Sequence, residues 1–275
     1  MRRLVVCADD FGQSEPIDRG ILALARAGRL GAVSCLPLGP ALAGDLPALL
    51  ATGVDAGVHL DLTEGLGGSP AAGLGAVILR AHLGALDRAA LSAQLRSQLD
   101  AFERLAARPP AFVDGHRHVH QLPQVRRALL AELARRWPGR VPPVRVTVPR
   151  RGRGPKAALI AALGGRALRR ELVARGIPHN ADFAGVYGFE PDPPYRALVQ
   201  GWLASLQDGG LLMCHPGEPG DDVIGAARVR ELAYLGAPEF AADCAAAGVT
   251  LASFSAIAAA PVPGAAPRAP GGAFG

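Results

Sequence analysis

Short apolar runs alternate along the chain with longer stretches in which Leu, Ala and Phe recur every three or four positions. Unbroken short runs predict strands buried on both faces, and the three-to-four spacing predicts amphipathic helices. Strands are therefore predicted at 4–8, 32–36, 54–62, 112–114, 144–148, 183–186, 211–214 and 249–252. Helices are predicted at 15–27, 89–105, 124–136, 157–175, 195–206 and 229–246, the second carrying a stripe of Leu91, Leu95, Leu99 and Phe102. The Gly-rich stretch 65–75 has neither period and reads as a surface loop. Seven or eight strands alternating with helices predict an α/β fold of mostly parallel strands, and at 275 residues a (βα) barrel is the natural closure. An open doubly wound sheet is the alternative. Its dinucleotide-binding form needs GxGxxG after the first strand, where Asp9-Asp10-Phe11-Gly12 stands instead. No internal boundary is visible, so residues 1–257 form one predicted domain and the Pro/Ala/Gly-rich tail 258–275 is predicted to be disordered.

Composition narrows the class. With 49% hydrophobic and 19% charged residues, collagen-like, disordered and coiled-coil chains are excluded. No apolar run reaches the roughly 18 residues of a membrane span, and Asp9 and Asp10 come too early for a signal peptide, so a cytoplasmic protein without an integral membrane segment is expected. The net charge of +5 permits a polyanionic partner. Most arginines, however, sit on predicted helix faces among Ala and Leu. The one dense cluster is Arg150, Arg151, Arg153 and the sole lysine, Lys156, which reads either as a solvated face or as a phosphate contact. Cys7, Cys35, Cys214 and Cys244 lie far apart with no CxxC pair and read as small buried hydrophobes.

In parallel βα folds, active-site groups stand where strands run into the following loops. Those positions hold Asp9-Asp10, then His59 and Asp61, then Asp114-Gly115-His116-Arg117-His118-Val119-His120, then His215-Pro216-Gly217. Five of the seven histidines are among them; His82 and His179 fall elsewhere. Each piece alone has a structural reading. An Asp-Asp pair is a common turn or helix cap, and a lone strand histidine is often part of the core. Three histidines at alternate positions are harder to dismiss, because a strand-like backbone would put His116, His118 and His120 on one face. Carboxylates and imidazoles at four strand ends fit a catalytic divalent metal with acid and base groups beside it.

Four segments together resemble the YdjC-like family of chitooligosaccharide and diacetylchitobiose deacetylases, with its hopanoid-biosynthesis-associated branch. They are Ala8-Asp9-Asp10-Phe11-Gly12, Gly57-Val58-His59-Leu60-Asp61-Leu62-Thr63, the 114–120 segment and Cys214-His215-Pro216-Gly217. The segment Arg230-Glu231-Leu232 continues the likeness, which spans roughly residues 2–254. It implies a distorted (βα) barrel that hydrolyses the acetamide of an N-acetylated sugar with one divalent metal ion, Mg or Zn, with Mn or Co as alternatives. Carried over by position, Asp10, His59 and His116 are the metal ligands, Asp9 the general base and His215 the general acid. Asp114 is expected to orient His116, and the loop 64–77 to shape the pocket. The implied partner is a small N-acetylated sugar, chitooligosaccharide-like or a glycolipid; nucleic acid is not implied, and a homodimer is allowed. Two positions depart from the family, which commonly has Asn where Cys7 stands and Ser where Gly115 stands.

Two rivals remain at this level. A metal-dependent phosphoesterase could use the same Asp/His set, with the 150–156 cluster holding phosphate. An Arg-rich nucleic-acid-binding protein without catalysis is the rival from another class. Few aromatics for base stacking and interspersed charges speak against it.

Overall fold

A computed structural model describes residues 1–68 and 71–258. Seven parallel strands form one curled sheet: β1 (Arg2–Phe11), β2 (Ala32–Cys35), β3 (Asp55–Leu60), β4 (Val113–Gly115), β5 (Asp182–Ala184), β6 (Gly210–Cys214) and β7 (Val249–Leu251). The order is β4-β3-β2-β1-β6-β5, with β7 on β1. Leu4 pairs with Gly210 of β6 and Leu251 of β7, and Cys7 with Met213 of β6 and Ala32 of β2. β7 and β2 therefore share one edge of β1, and β6 takes the other. This makes β1 the centre of the sheet, which explains why its run is apolar on both faces.

Alternation along β1 separates two cores. Leu4, Val6 and Ala8 join the larger cluster, packed among helices whose apolar stripes supply Ile21, Leu95, Leu129 and Val199. Val5 and Cys7 join a smaller cluster with Phe112, Phe183, Met213 and Phe254, inside the curl of the sheet. There the Phe112 and Phe254 rings stack at 4.8 Å.

Of the eight predicted strands, 144–148 reduces to a single bridge between Val144 and Val113. Between it and β5, side-chain bonds replace a ladder: Asn180 Oδ1 accepts from Val146 N at 2.7 Å, and its Nδ2 donates to Val146 O at 2.8 Å. This is where the barrel departs from regular closure. The predicted helix 157–175 is interrupted by a wide turn at Ala161–Gly165, and 229–246 divides into Gly225–Gly236 and Pro238–Ala246 at Pro238. Two helices escaped the sequence pattern, Leu42–Leu50, which contains Gly44 and Pro47, and Leu74–Leu83, which begins inside the expected Gly-rich loop. Of the expected tail, Ala258 ends the last helix, and 259–275 lie outside the described residues.

Candidate metal centre

Neighbouring residues of a regular strand point to opposite faces, yet Asp9 and Asp10 both line the same cleft. The β1 pairing slips between Ala8 and Phe11, and Asp10 has φ +72°. A non-glycine residue in that left-handed region is uncommon and strained. Here it turns the second carboxylate toward the first. Asp9 Oδ2 and Asp10 Oδ1 lie 3.9 and 3.5 Å from Nε2 of His59, at the end of β3. His116, just past β4, brings Nδ1 to 2.9 Å from Asp10 Oδ1. Donor atoms of Asp10, His59 and His116 all fall within 4.8 Å of one another.

The electrostatics suit a cation. Burial opposes ionisation of Asp10, but His116, His59 and Arg228, whose Nη2 donates at 2.8 Å, outweigh it and hold the carboxyl well below its usual range. Burial likewise disfavours a charged His59, but Asp114 and Asp9 overcome it and push the imidazole up to about 10. Asp10 is therefore held as a carboxylate at the donor set. Two imidazoles and a carboxylate are also the donors a catalytic divalent ion uses while keeping positions open. The residues fit the implied metal. A second grouping, Cys7, Asp9 and Asp114, is as compact but already holds a cation. The Arg145 guanidinium lies 2.6 Å from both Asp9 and Asp114, and donates to Cys7 Sγ at 3.0 Å. Cys7, in the place of the family's Asn, is thus an acceptor for that arginine.

Asp114 corrects an expectation. Its Oδ1 lies 2.6 Å from Nδ1 of His59 and accepts from Ser34 Oγ at 2.5 Å. It orients His59, not His116. The three alternating histidines also fail to share a face, because the backbone is not strand-like. Residues His116–Gln121 form a tight turn with Arg117 and His118 at φ +51° and +61°. His118 is half-buried, edge-on against Phe183, and lines the cleft, whereas His120 donates from Nε2 to Arg145 O at 3.0 Å. Burial lowers both their pKa values, that of His120 to about 4. Gly115 fits this turn, since a Cβ there would come within 3.0 Å of His120 N.

His215 follows β6 across the cleft, its ring edge-on to Phe189 at 5.4 Å. Its backbone N–H donates to Glu231 Oε2 at 2.5 Å, and Tyr187 donates to Glu231 Oε1 at 2.6 Å. Nδ1 of His215 is buried without a protein partner among the described residues. The cleft has a volume of about 670 Å³, and Leu74, Ile78, Leu159, Ile160, Leu163 and Val223 give it apolar walls. Of the 150–156 cluster only Lys156 lines it. Arg153 instead pairs with the buried Asp182 at 2.7 Å, whose Oδ1 also accepts from Arg150 N.

A model of the YdjC-like protein family matches residues 3–246. The chain belongs to the YdjC-like family. Two mammalian family relatives are called carbohydrate deacetylase. The mouse protein is 36% identical over 137 residues, covering 45% of this chain and 44% of its own length. The human one is 34% identical, covering 45% and 42%. The chain thus spans less than half the length of these relatives. A chitooligosaccharide deacetylase from Yersinia pestis (strain Pestoides F) is 28% identical over 91% of this chain and 97% of its own. Among solved structures, a candidate cellobiose-phosphate cleavage protein from Enterococcus faecalis V583 superposes with TM-score 0.71 at 18% identity, covering 94% of this chain and 99% of its own. A peptidoglycan N-acetylglucosamine deacetylase gives TM-score 0.54 at 11% identity, over 93% and 87%. Both share the fold of this chain.

The sequence reading missed Ser34, Arg145 and Arg228 as parts of the centre. Arg145 carried a signal, being the lone charge in a valine-rich predicted strand. Arg228 lies on a helix, where an arginine normally reads as solvated, but its side chain is buried against Asp10 and Asp222.

Proposed function

We propose that this protein is a metal-dependent hydrolase that removes the acetyl group from an N-acetylated sugar and releases acetate. The observation that carries the reading is the meeting of Asp10, His59 and His116 in one cleft that Asp9 and His215 also line. Those three residues would hold one divalent ion, Mg or Zn, with Mn or Co also compatible with the donors. When bound, the ion supplies Lewis-acid polarisation of the amide carbonyl.

The remaining roles fall to side chains. Asp9 takes a proton from the attacking water, and Arg145, gripping both its oxygens, fixes where the carboxylate points. His215 delivers a proton to the departing amine, whose expulsion as an anion is otherwise prohibitive. Glu231 and Tyr187 anchor the turn that carries His215.

The apolar walls favour a sugar with an apolar aglycone over a long polar chitooligosaccharide, because polar hydroxyls would lose hydration against Leu163, Ile160 and Leu74. A phosphoesterase reading is less favoured, since the Arg153 guanidinium is paired with Asp182 and, of the 150–156 cluster, only Lys156 lines the cleft. The test is a panel of N-acetylglucosamine, diacetylchitobiose, longer chitooligosaccharides, an N-acetylglucosaminyl lipid and phosphate esters, followed for acetate and phosphate. Acetate release, highest with the lipid-linked sugar, is expected. Phosphate release with every acetamide inert overturns the reading.

A further inference from the structure

The two histidines of the centre meet carboxylates through opposite ring atoms. Asp114 lies at Nδ1 of His59, leaving Nε2 of that ring facing Asp10 at 3.5 Å. His116 is reversed. Its Nδ1 faces Asp10 at 2.9 Å, while Nε2 points outward to Oε1 of Glu64 at 3.4 Å. A carboxylate on the far nitrogen of a ligating histidine fixes the tautomer and ring plane and raises the basicity of the other nitrogen.

Glu64 is itself held from two sides. Asp61 Oδ1 accepts from Thr63 N at 2.7 Å and Glu64 N at 3.0 Å, and Asp61 is tied through its backbone to Gln98. Arg117 closes the other side, with Nη2 at 2.7 Å from Glu64 Oε1. Arg117 directly follows His116 and has φ +51°, so the strained turn that aims His116 also aims the arginine that holds Glu64.

We propose that Glu64 is the positioning residue of His116. It would accept the Nε2 proton, so that His116 would offer the ion Nδ1 and His59 would offer Nε2, the ring nitrogens that face Asp10. The inference rests on the metal reading above.

The test combines equilibrium dialysis against zinc with long-range proton–nitrogen NMR of the histidine rings, on the full chain as wild type, Glu64→Gln, Glu64→Ala and His116→Ala. The wild type is expected to bind one ion, with His116 protonated at Nε2 and His59 at Nδ1. Glu64→Ala should keep that stoichiometry but bind about 10–100-fold more weakly, with Glu64→Gln between the two and melting temperatures of the ion-free proteins unchanged. Equal affinity in wild type and Glu64→Ala, or His116 protonated at Nδ1, overturns the assignment. Complete loss of the ion in Glu64→Ala, as in His116→Ala, overturns it in favour of Glu64 as a ligand. A wild type that binds no divalent ion fails differently, taking the metal reading down with it.

Discussion

Arg145 grips Asp9 through both carboxylate oxygens, Nη1 to Oδ2 at 2.7 Å and Nη2 to Oδ1 at 2.6 Å, with neither side chain reaching solvent appreciably. Burial opposes the guanidinium charge, but Asp114 and Asp9 hold its pKa well above the usual value. Removing one partner of such a buried pair costs about 3–5 kcal/mol, because the other charge is left uncompensated. Arg145→Met should lose stability of that order in urea unfolding. Arg145→Lys lacks the planar fork that spans Asp9 and Asp114, and should lose most turnover while folding better than Arg145→Met. Wild-type stability in Arg145→Met would contradict this account of the pair.

His215 and His116, two of the histidines that line the cleft, separate by what they hold. His215→Ala should retain the metal and lose about 10²–10⁴-fold in turnover, the scale of a general acid. His116→Ala should lose metal affinity as well. Metal analysis after dialysis, paired with kcat, reads both. Metal loss in His215→Ala with retention in His116→Ala would reverse the two roles.

Asp18 gives a pH dependence apart from the metal centre. It is fully buried, and its Oδ1 accepts from Gly12 N at 2.6 Å. Burial, reinforced by Asp45 and Glu15 and only partly offset by the Gly12 bond, pushes its carboxyl up to about 8. An unfolded aspartate titrates near 3.9, so the folded state binds this proton more tightly. The contribution is fully present below about pH 4 and is lost as pH rises through about 8. Asp18→Asn keeps an acceptor for Gly12 and removes the charge. Its melting temperature should exceed wild type by a few degrees near pH 9 and match it near pH 4. Equal destabilisation at both pH values would contradict the buried-carboxyl account.

The apolar wall has a kinetic signature. Leu163 lines the cleft and lies outside the Asp/His set. Leu163→Asn should raise KM about tenfold for an N-acetylglucosaminyl lipid, the order expected for losing part of one leucine burial. The values of kcat/KM for N-acetylglucosamine should change little. An equal loss on both substrates would place Leu163 in the scaffold instead.

Much of this was legible because strand ends concentrate chemistry. The apolar run of β1 and the stripe of Leu91, Leu95, Leu99 and Phe102 could be read from spacing, and Asp10, His59 and His116, whose donor atoms meet, from the family resemblance. What escaped depends on backbone conformation or distant pairing. Nothing local says that Asp10 adopts φ +72°, or that Arg117 and His118 turn left-handed and so scatter the three histidines. Arg145 and Asp9 are 136 positions apart, and Arg228 and Asp10 are 218 apart. Such pairs exist only once the sheet has curled. The segment 144–148 carries strand-like residues, but Asn180 takes the backbone bonds a neighbouring strand would have made.

The most direct measurement is acetate release by the chelator-treated protein before and after one equivalent of Zn, Mg, Mn or Co, in wild type and Asp9→Asn. With an N-acetylglucosaminyl substrate, the ion-free wild type should be inert. It should gain acetate release on adding metal, and Asp9→Asn should bind the same ion yet stay silent. Equal acetate release with and without metal, or undiminished release by Asp9→Asn, would contradict the account.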